Sequence, residues 1–200
     1  MNIETQKYCE KAFATHKATL IQDTDRYLII DWRRRTDGSG DYYVNYIVDK
    51  KRGSLIVSGD LGDSIATWYN PITPQNLKNY VWNVDYYMGK FQCASDTYEY
   101  DSENIVNDIK KQFDEEQLED FISSGSFDFD SIDDLWEFVA EEVENNCSSI
   151  DFHPSKDLIG IIEELDVDYF EWLYDCGKRT HIRVYLWAVG FNMACEQLGI

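Results

Sequence analysis

From Asp96 to Asp175 the chain is almost without positive charge. Lys110, Lys111 and Lys156 stand against 26 Asp/Glu, a local sum of −23. Residues 1–60 hold ten Lys/Arg and nine Asp/Glu, so the formal −20 of the 200-residue chain belongs to its second half. A field of that sign repels nucleic acid and anionic membranes, and it attracts basic surfaces and speeds their encounter at low salt. Direct nucleic-acid and membrane binding are therefore not expected. A basic protein surface is the partner class the charge favours, and a solvated acidic face without a partner is the plain alternative.

Other absences narrow the classes further. The five cysteines (Cys9, Cys93, Cys147, Cys176, Cys195) are odd in number, and no two have a C-x-x-C spacing. With no secretory signal at the N-terminus, the expectation is a cytoplasmic protein with free thiols. His16, His153 and His181 lack ligand-like spacing, so neither zinc nor any other metal or cofactor is expected. The longest apolar run, Val184–Cys195, contains Asn192 and is too short to span a bilayer. No P-loop, dinucleotide fingerprint, hydrolase elbow or internal repeat is present.

What the chain does have is a stretch rich in β-branched and aromatic residues from Tyr42 to Asn70. Two turn clusters, Lys50–Gly53 and Gly59–Asp63, divide it into three runs, the pattern of an antiparallel meander. Thr19–Gln22 and Tyr27–Arg33 read as two more strands, and Asn2–His16 as a short helix. Thr73 and Pro74 open a helix expected to run unbroken to about Met88. Further on come acidic amphipathic helices opened near Ser102, Ser131 and Ser155, then a short aromatic helix over Asp168–Asp175. Ser123–Ser126 is the expected break between sub-lobes. The last helix, from His181 to about Leu198, is apolar nearly all round and so is placed centrally against the sheet.

The expected fold class is α+β: a four- to five-stranded antiparallel N-terminal sheet packed against an acidic helical C-terminal half. Residues 1–95 carry the N-terminal helix, sheet and aromatic helix, and 96–200 the acidic lobe with the buried last helix, the two forming one unit.

Candidate chemistry is sparse. Asp128-x-Asp130-x-x-Asp133-Asp134 suggests calcium, but an EF-hand loop starting at Asp128 would place Ile132, Asp133 and Val139 where an oxygen ligand, glycine and glutamate are needed. Carboxylates favoured at a helix N-terminus account for the run better. Cys176 and His181 are close in sequence, which is no sign of a catalytic pair, and no catalytic residue is assigned. Two sets remain. Asp128, Asp130, Asp133, Asp134, Glu137, Glu141 and Glu144 form a candidate partner-binding face. Arg33, Arg34 and Arg35 with Asp60 and Asp63 form a candidate ligand pocket near the Gly59–Asp63 turn, although turn stabilisation is the simpler role for both aspartates.

Leu55–Asp63 followed by an aromatic strand, and the late Tyr185-Leu186-Trp187-Ala188 helix, resemble a group of small uncharacterised proteins from bacteriophages and other mobile elements. The resemblance covers about half the chain and carries over no catalytic residue. It implies a context in which accessory genes encode inhibitors of host defence, including anti-CRISPR proteins. The expected function is thus a non-enzymatic acidic inhibitor that imitates DNA and occupies the basic nucleic-acid-binding surface of a defence nuclease in a bacterial host. The alternative is a small-molecule-binding protein or enzyme using the Gly59–Asp63 corner. A homodimer with a merely exposed acidic face is the third class.

Overall fold

A helix with no polar face has to be covered on every side. In this computed structural model, which describes residues 1–34 and 42–200, the helix over Ile182–Leu198 is covered by the sheet and the N-terminal helices. In chain order the elements are α1 (Ile3–Ala12), β1 (His16–Asp23), β2 (Tyr27–Arg34), β3 (Val44–Asp49), β4 (Ser54–Gly59) and β5 (Ser64–Thr67). Then come α2 (Pro74–Trp82), α3 (Val84–Met88), β6 (Phe91–Ala94), β7 (Tyr98–Glu99), α4 (Ser102–Lys110) and α5 (Glu115–Ser124). They are followed by α6 (Ile132–Asn146), β8 (Cys147–Ser148), β9 (Asp151–Phe152), α7 (Lys156–Leu165), β10 (Arg179–Thr180) and α8 (Ile182–Leu198). The chain divides into two units: Met1–Thr97 with His181–Ile200, and Tyr98–Thr180.

In the first unit, β1 to β6 form one antiparallel sheet in sequential order. Six strands replace the four or five expected, because Phe91–Ala94 pairs with β5 across a register shift at Ile65/Ala66. Alternation sorts the faces. Leu28, Ile30, Trp32, Val44, Tyr46, Val48, Leu55 and Val57 are buried under α1, α2, α3 and α8. The opposite face carries Ile29, Ile47, Ile56 and Ile65 in direct register across four strands, and such β-branched neighbours contribute roughly 0.2–1 kcal/mol per pair.

The β3–β4 turn is held by Asp49, whose carboxylate accepts from Arg26 and from the Lys51 and Arg52 backbone N–H groups. Burial raises its pKa, but these donors outweigh burial and the net shift is downward. Gly53 follows at φ +66°, where a Cβ would strike the Asn70 carbonyl.

α8 meets the sheet at a buried polar contact. The Tyr46 hydroxyl donates to the Trp187 carbonyl at 3.1 Å, and burial drives its phenol pKa well above the ordinary value. Gly190 makes room, since a Cβ there would lie 2.4 Å from the Tyr46 oxygen and 3.0 Å from Phe13. Further along α8, Gln197 accepts from the Ala18 N–H and donates to the His16 carbonyl, occupying the edge of β1.

Several expectations need correction. The helix expected over 75–88 breaks at Asn83, whose side chain accepts the Tyr86 N–H and starts α3 afresh. α1 stops at Ala12, and His16 already belongs to β1. The segment expected as one aromatic helix is two 3-10 turns, Tyr169–Glu171 and Leu173–Asp175. Asp166 draws them tight by accepting from both the Trp172 indole and the Asp168 N–H. Gly125 ends α5 in the left-handed region, but the division between units falls at 97/98 and 180/181, not there. The last helix packs against the sheet, as its apolar surround predicts, so it groups with the sheet unit and not with residues 98–180; its cover is α1, α2, α3, β1 and β2.

The second unit has its own core. Ile105 and Ile109 of α4, Leu118 and Phe121 of α5, Leu135, Val139 and Val143 of α6, and Leu158, Ile161 and Ile162 of α7 are buried together. Its first and last strands, β7 and β10, pair with each other. No helix among the described residues is long and apolar enough to cross a membrane.

Replacing a helix-interior glycine with alanine ordinarily stabilises by up to about 1 kcal/mol. Gly190→Ala is expected to do the reverse, lowering stability by about 1–3 kcal/mol because the methyl displaces Tyr46 and Phe13. A denaturant melt checks this, and a gain in stability would contradict the packing described.

Candidate functional site: an unpaired carboxylate face

Charge and architecture divide at the same places. Residues 98–180 hold 25 Asp/Glu against five Lys/Arg, a net −20, while the sheet unit holds 13 of each and sums to zero. The entire formal excess sits in the helical unit.

Within it, α6 is built from both ends of the amphipathic rule. Ser131 caps it by accepting the Asp134 N–H at 3.1 Å. Leu135, Val139 and Val143 turn inward. At 100° per residue, Asp133, Asp134, Glu137, Glu141 and Glu144 fall within an arc of about 100° on another side and cover about 16 Å of axis. All five are exposed. Among the described residues their carboxylates accept no hydrogen bond and form no ion pair. Lys110 of α4 lies over the Trp136 ring at 5.3 Å and lines a small hollow with Glu144, without an ion pair to it. Glu142 is turned elsewhere, accepting from the Ser155 hydroxyl at the start of α7.

Asp133 and Asp134 sit in the first turn, where the helix dipole favours them, but the row as a whole sets like charges side by side. Asp133/Glu137, Glu137/Glu141 and Glu141/Glu144 are like-charge neighbours at i,i+4 or i,i+3, each unfavourable by roughly 0.2–0.5 kcal/mol. Glu144 also lies in the last turn, which has no basic residue and where the helix dipole disfavours a carboxylate.

Of the seven candidates on this face, five share the α6 stripe. Asp128 and Asp130 are exposed in the segment before Ser131. Asp128 lines a hollow shared with α7, whereas Asp133 lines a groove of about 720 Å³ between α5 and α6 that also has Glu115, Glu119 and Trp136 on its walls. Periodicity could not show that separation, because the chain between the helices is irregular. Gly160, on the wall of the Asp128 hollow, is a residue the sequence reading passed over. Its signal was an isolated glycine within the α7 pattern.

At the alternative site, Arg33 and Asp60 meet at Tyr43. The Arg33 guanidinium lies 4.6 Å from the ring centroid and pairs with Asp31 at 2.7 Å. Asp60 accepts the Tyr43 N–H at 2.8 Å. Asp63 is tied to Ser95 through its backbone on both sides. Gly59 and Gly62 take positive φ, and a Cβ at either would collide with Tyr43 or Ser95. Arg34 ends β2, and Arg35 lies outside the described residues.

Burial pushes the Cys9 thiol up to about 11 and the Cys176 and Cys195 thiols up to about 12, so all three are protonated at neutral pH. Among the described residues no group of three His, Cys, Asp or Glu side chains converges as a metal site.

Asp108 is the counter-example that shows a structural carboxylate in this unit. It accepts from Lys111 at 2.8 Å, the Gly177 N–H at 3.0 Å and Arg179 at 2.7 Å. Burial raises its pKa, but those donors win and hold it at about 2.

No family model, curated protein or solved structure matches the chain.

Because the Asp108 pKa is depressed on folding, its contribution is present above the unfolded carboxyl value and is lost as pH falls from about 4 to about 2. Asp108→Asn is expected to cost about 1 kcal/mol at neutral pH, after discounting for solvent screening. The variant should also lose that part of the acid slope in a pH series of melts. An unchanged slope would show that the clamp does not carry it.

Proposed function

We propose that this protein is a non-enzymatic inhibitor that places its helical unit in the basic, nucleic-acid-binding groove of another protein. In this reading it acts in the cytoplasm of a bacterial host, on a nucleic-acid-handling defence nuclease, in the manner of an anti-CRISPR protein. The observation that carries the reading is the α6 stripe: five exposed carboxylates on one side of one helix, with no ion pair among the described residues.

Two magnitudes support it. Five charges over about 16 Å of helix give a linear density close to that of one DNA strand, which presents one phosphate per ~3.4 Å. The repulsion stored along the stripe is relieved when cations approach it, so association recovers part of what the isolated helix lacks. A face kept acidic only for solubility has no need to gather like charges at i,i+3 and i,i+4.

The test is to pass a bacterial lysate over the immobilised protein at low salt and elute with duplex DNA. Retained basic proteins should be displaced by DNA. The neutralised variant Asp133→Asn, Asp134→Asn, Glu137→Gln, Glu141→Gln, Glu144→Gln should hold them about tenfold more weakly or worse. Its thermal stability should stay within roughly 1 kcal/mol of the parent. Equal retention by the neutralised variant, or failure of DNA to compete, would overturn the proposal.

A further inference from the structure

Gly160 lies inside α7 in helical conformation, where glycine weakens a helix relative to alanine. At Gly53, Gly59, Gly177 and Gly190 crowding explains the glycine, since a Cβ there would strike an atom closer than 2.5 Å. At Gly160 a Cβ would meet nothing within 4 Å, and the backbone needs no positive φ. Neither packing nor conformation asks for glycine there. What its missing side chain does is leave open the wall of a hollow of about 430 Å³.

The other walls of that hollow are aromatic. Phe127, Phe129 and Phe138 line it, each half-buried. The Phe127 and Phe129 rings are nearly parallel at 26°, and Phe138 stands at 63° to Phe129 with centroids 5.7 Å apart. Exposed Asp128 and Asp157 also line the hollow, with Lys156 beside them. Aromatic faces and carboxylates both favour a cation. Lys156 weakens bare Coulomb attraction at this spot, so a compact, strongly hydrated ammonium gains little over the open stripe on α6. A guanidinium differs: it is flat and weakly hydrated, stacks on aromatic faces, and pairs with a carboxylate through two parallel N–H bonds.

We propose that this hollow seats an arginine side chain of the basic partner, its guanidinium against the phenylalanine walls and paired with Asp128 or Asp157. The inference rests on the acidic-surface reading and sharpens it. The helical unit selects arginine over lysine, with the α6 stripe supplying attraction and the Gly160 hollow supplying choice.

Octa-arginine and octa-lysine amides, titrated into the full-length protein at one salt concentration, test it. The protein should bind octa-arginine about tenfold more tightly than octa-lysine. Gly160→Leu fills the hollow and removes no charge. It should bring octa-arginine down to the octa-lysine level and leave octa-lysine unchanged, with a melting temperature no lower than the parent's because leucine is the better helix former. Equal binding of the two peptides by the parent, or an arginine preference that survives in Gly160→Leu, overturns the inference while the acidic surface stands. Binding of neither peptide removes both.

Discussion

The seating of α8 on the sheet is the constraint from which the rest of the molecule follows. A helix apolar nearly all round cannot stand alone in water. It finds its cover where Gly190 brings the backbone close to Phe13 and to the Tyr46 hydroxyl, which satisfies itself on the Trp187 carbonyl. Because α8 is the last element, the sheet unit is completed only by the far end of the chain. Residues 98–180 are thereby an insertion between β6 and α8, entered and left through the paired strands β7 and β10.

An insertion with its own core is free of the sheet's demands on charge. The sheet unit is balanced, its buried Asp49 fully supplied with donors. Four of the inserted unit's five cations have partners inside it. Lys111 and Arg179 go to Asp108, Lys178 to Asp175, and Lys110 to the face of Trp136. Among the described residues none of these cations forms an ion pair with the α6 stripe, and that exposed row of carboxylates gives the proposed function its physical basis.

Much of the fold was legible in the sequence because local chemistry and tertiary structure agree there. The meander shows through its alternation and through Gly53, which only a close backbone approach requires. The sixth strand was not legible. Phe91–Ala94 has no alternating pattern, and its pairing comes from the open edge of β5. The break at Asn83 hid behind an apolar period that continues through it, so capping chemistry decided the matter where periodicity could not. The carboxylate stripe was readable from its spacing, but its lack of ion pairs depends on where Lys110 and Lys111 point, which no local pattern carries. Asp128 looked like part of the same row, and the irregular path before Ser131 takes it to the Gly160 hollow instead.

The central claim is that carboxylates of the inserted unit meet cations on another protein. The most direct measurement is the affinity of the protein for a partner recovered from the host, followed across a range of ionic strength. If released counterions drive the association, the logarithm of the binding constant falls linearly and steeply with the logarithm of salt concentration. An affinity that stays level from low to high salt would contradict the account.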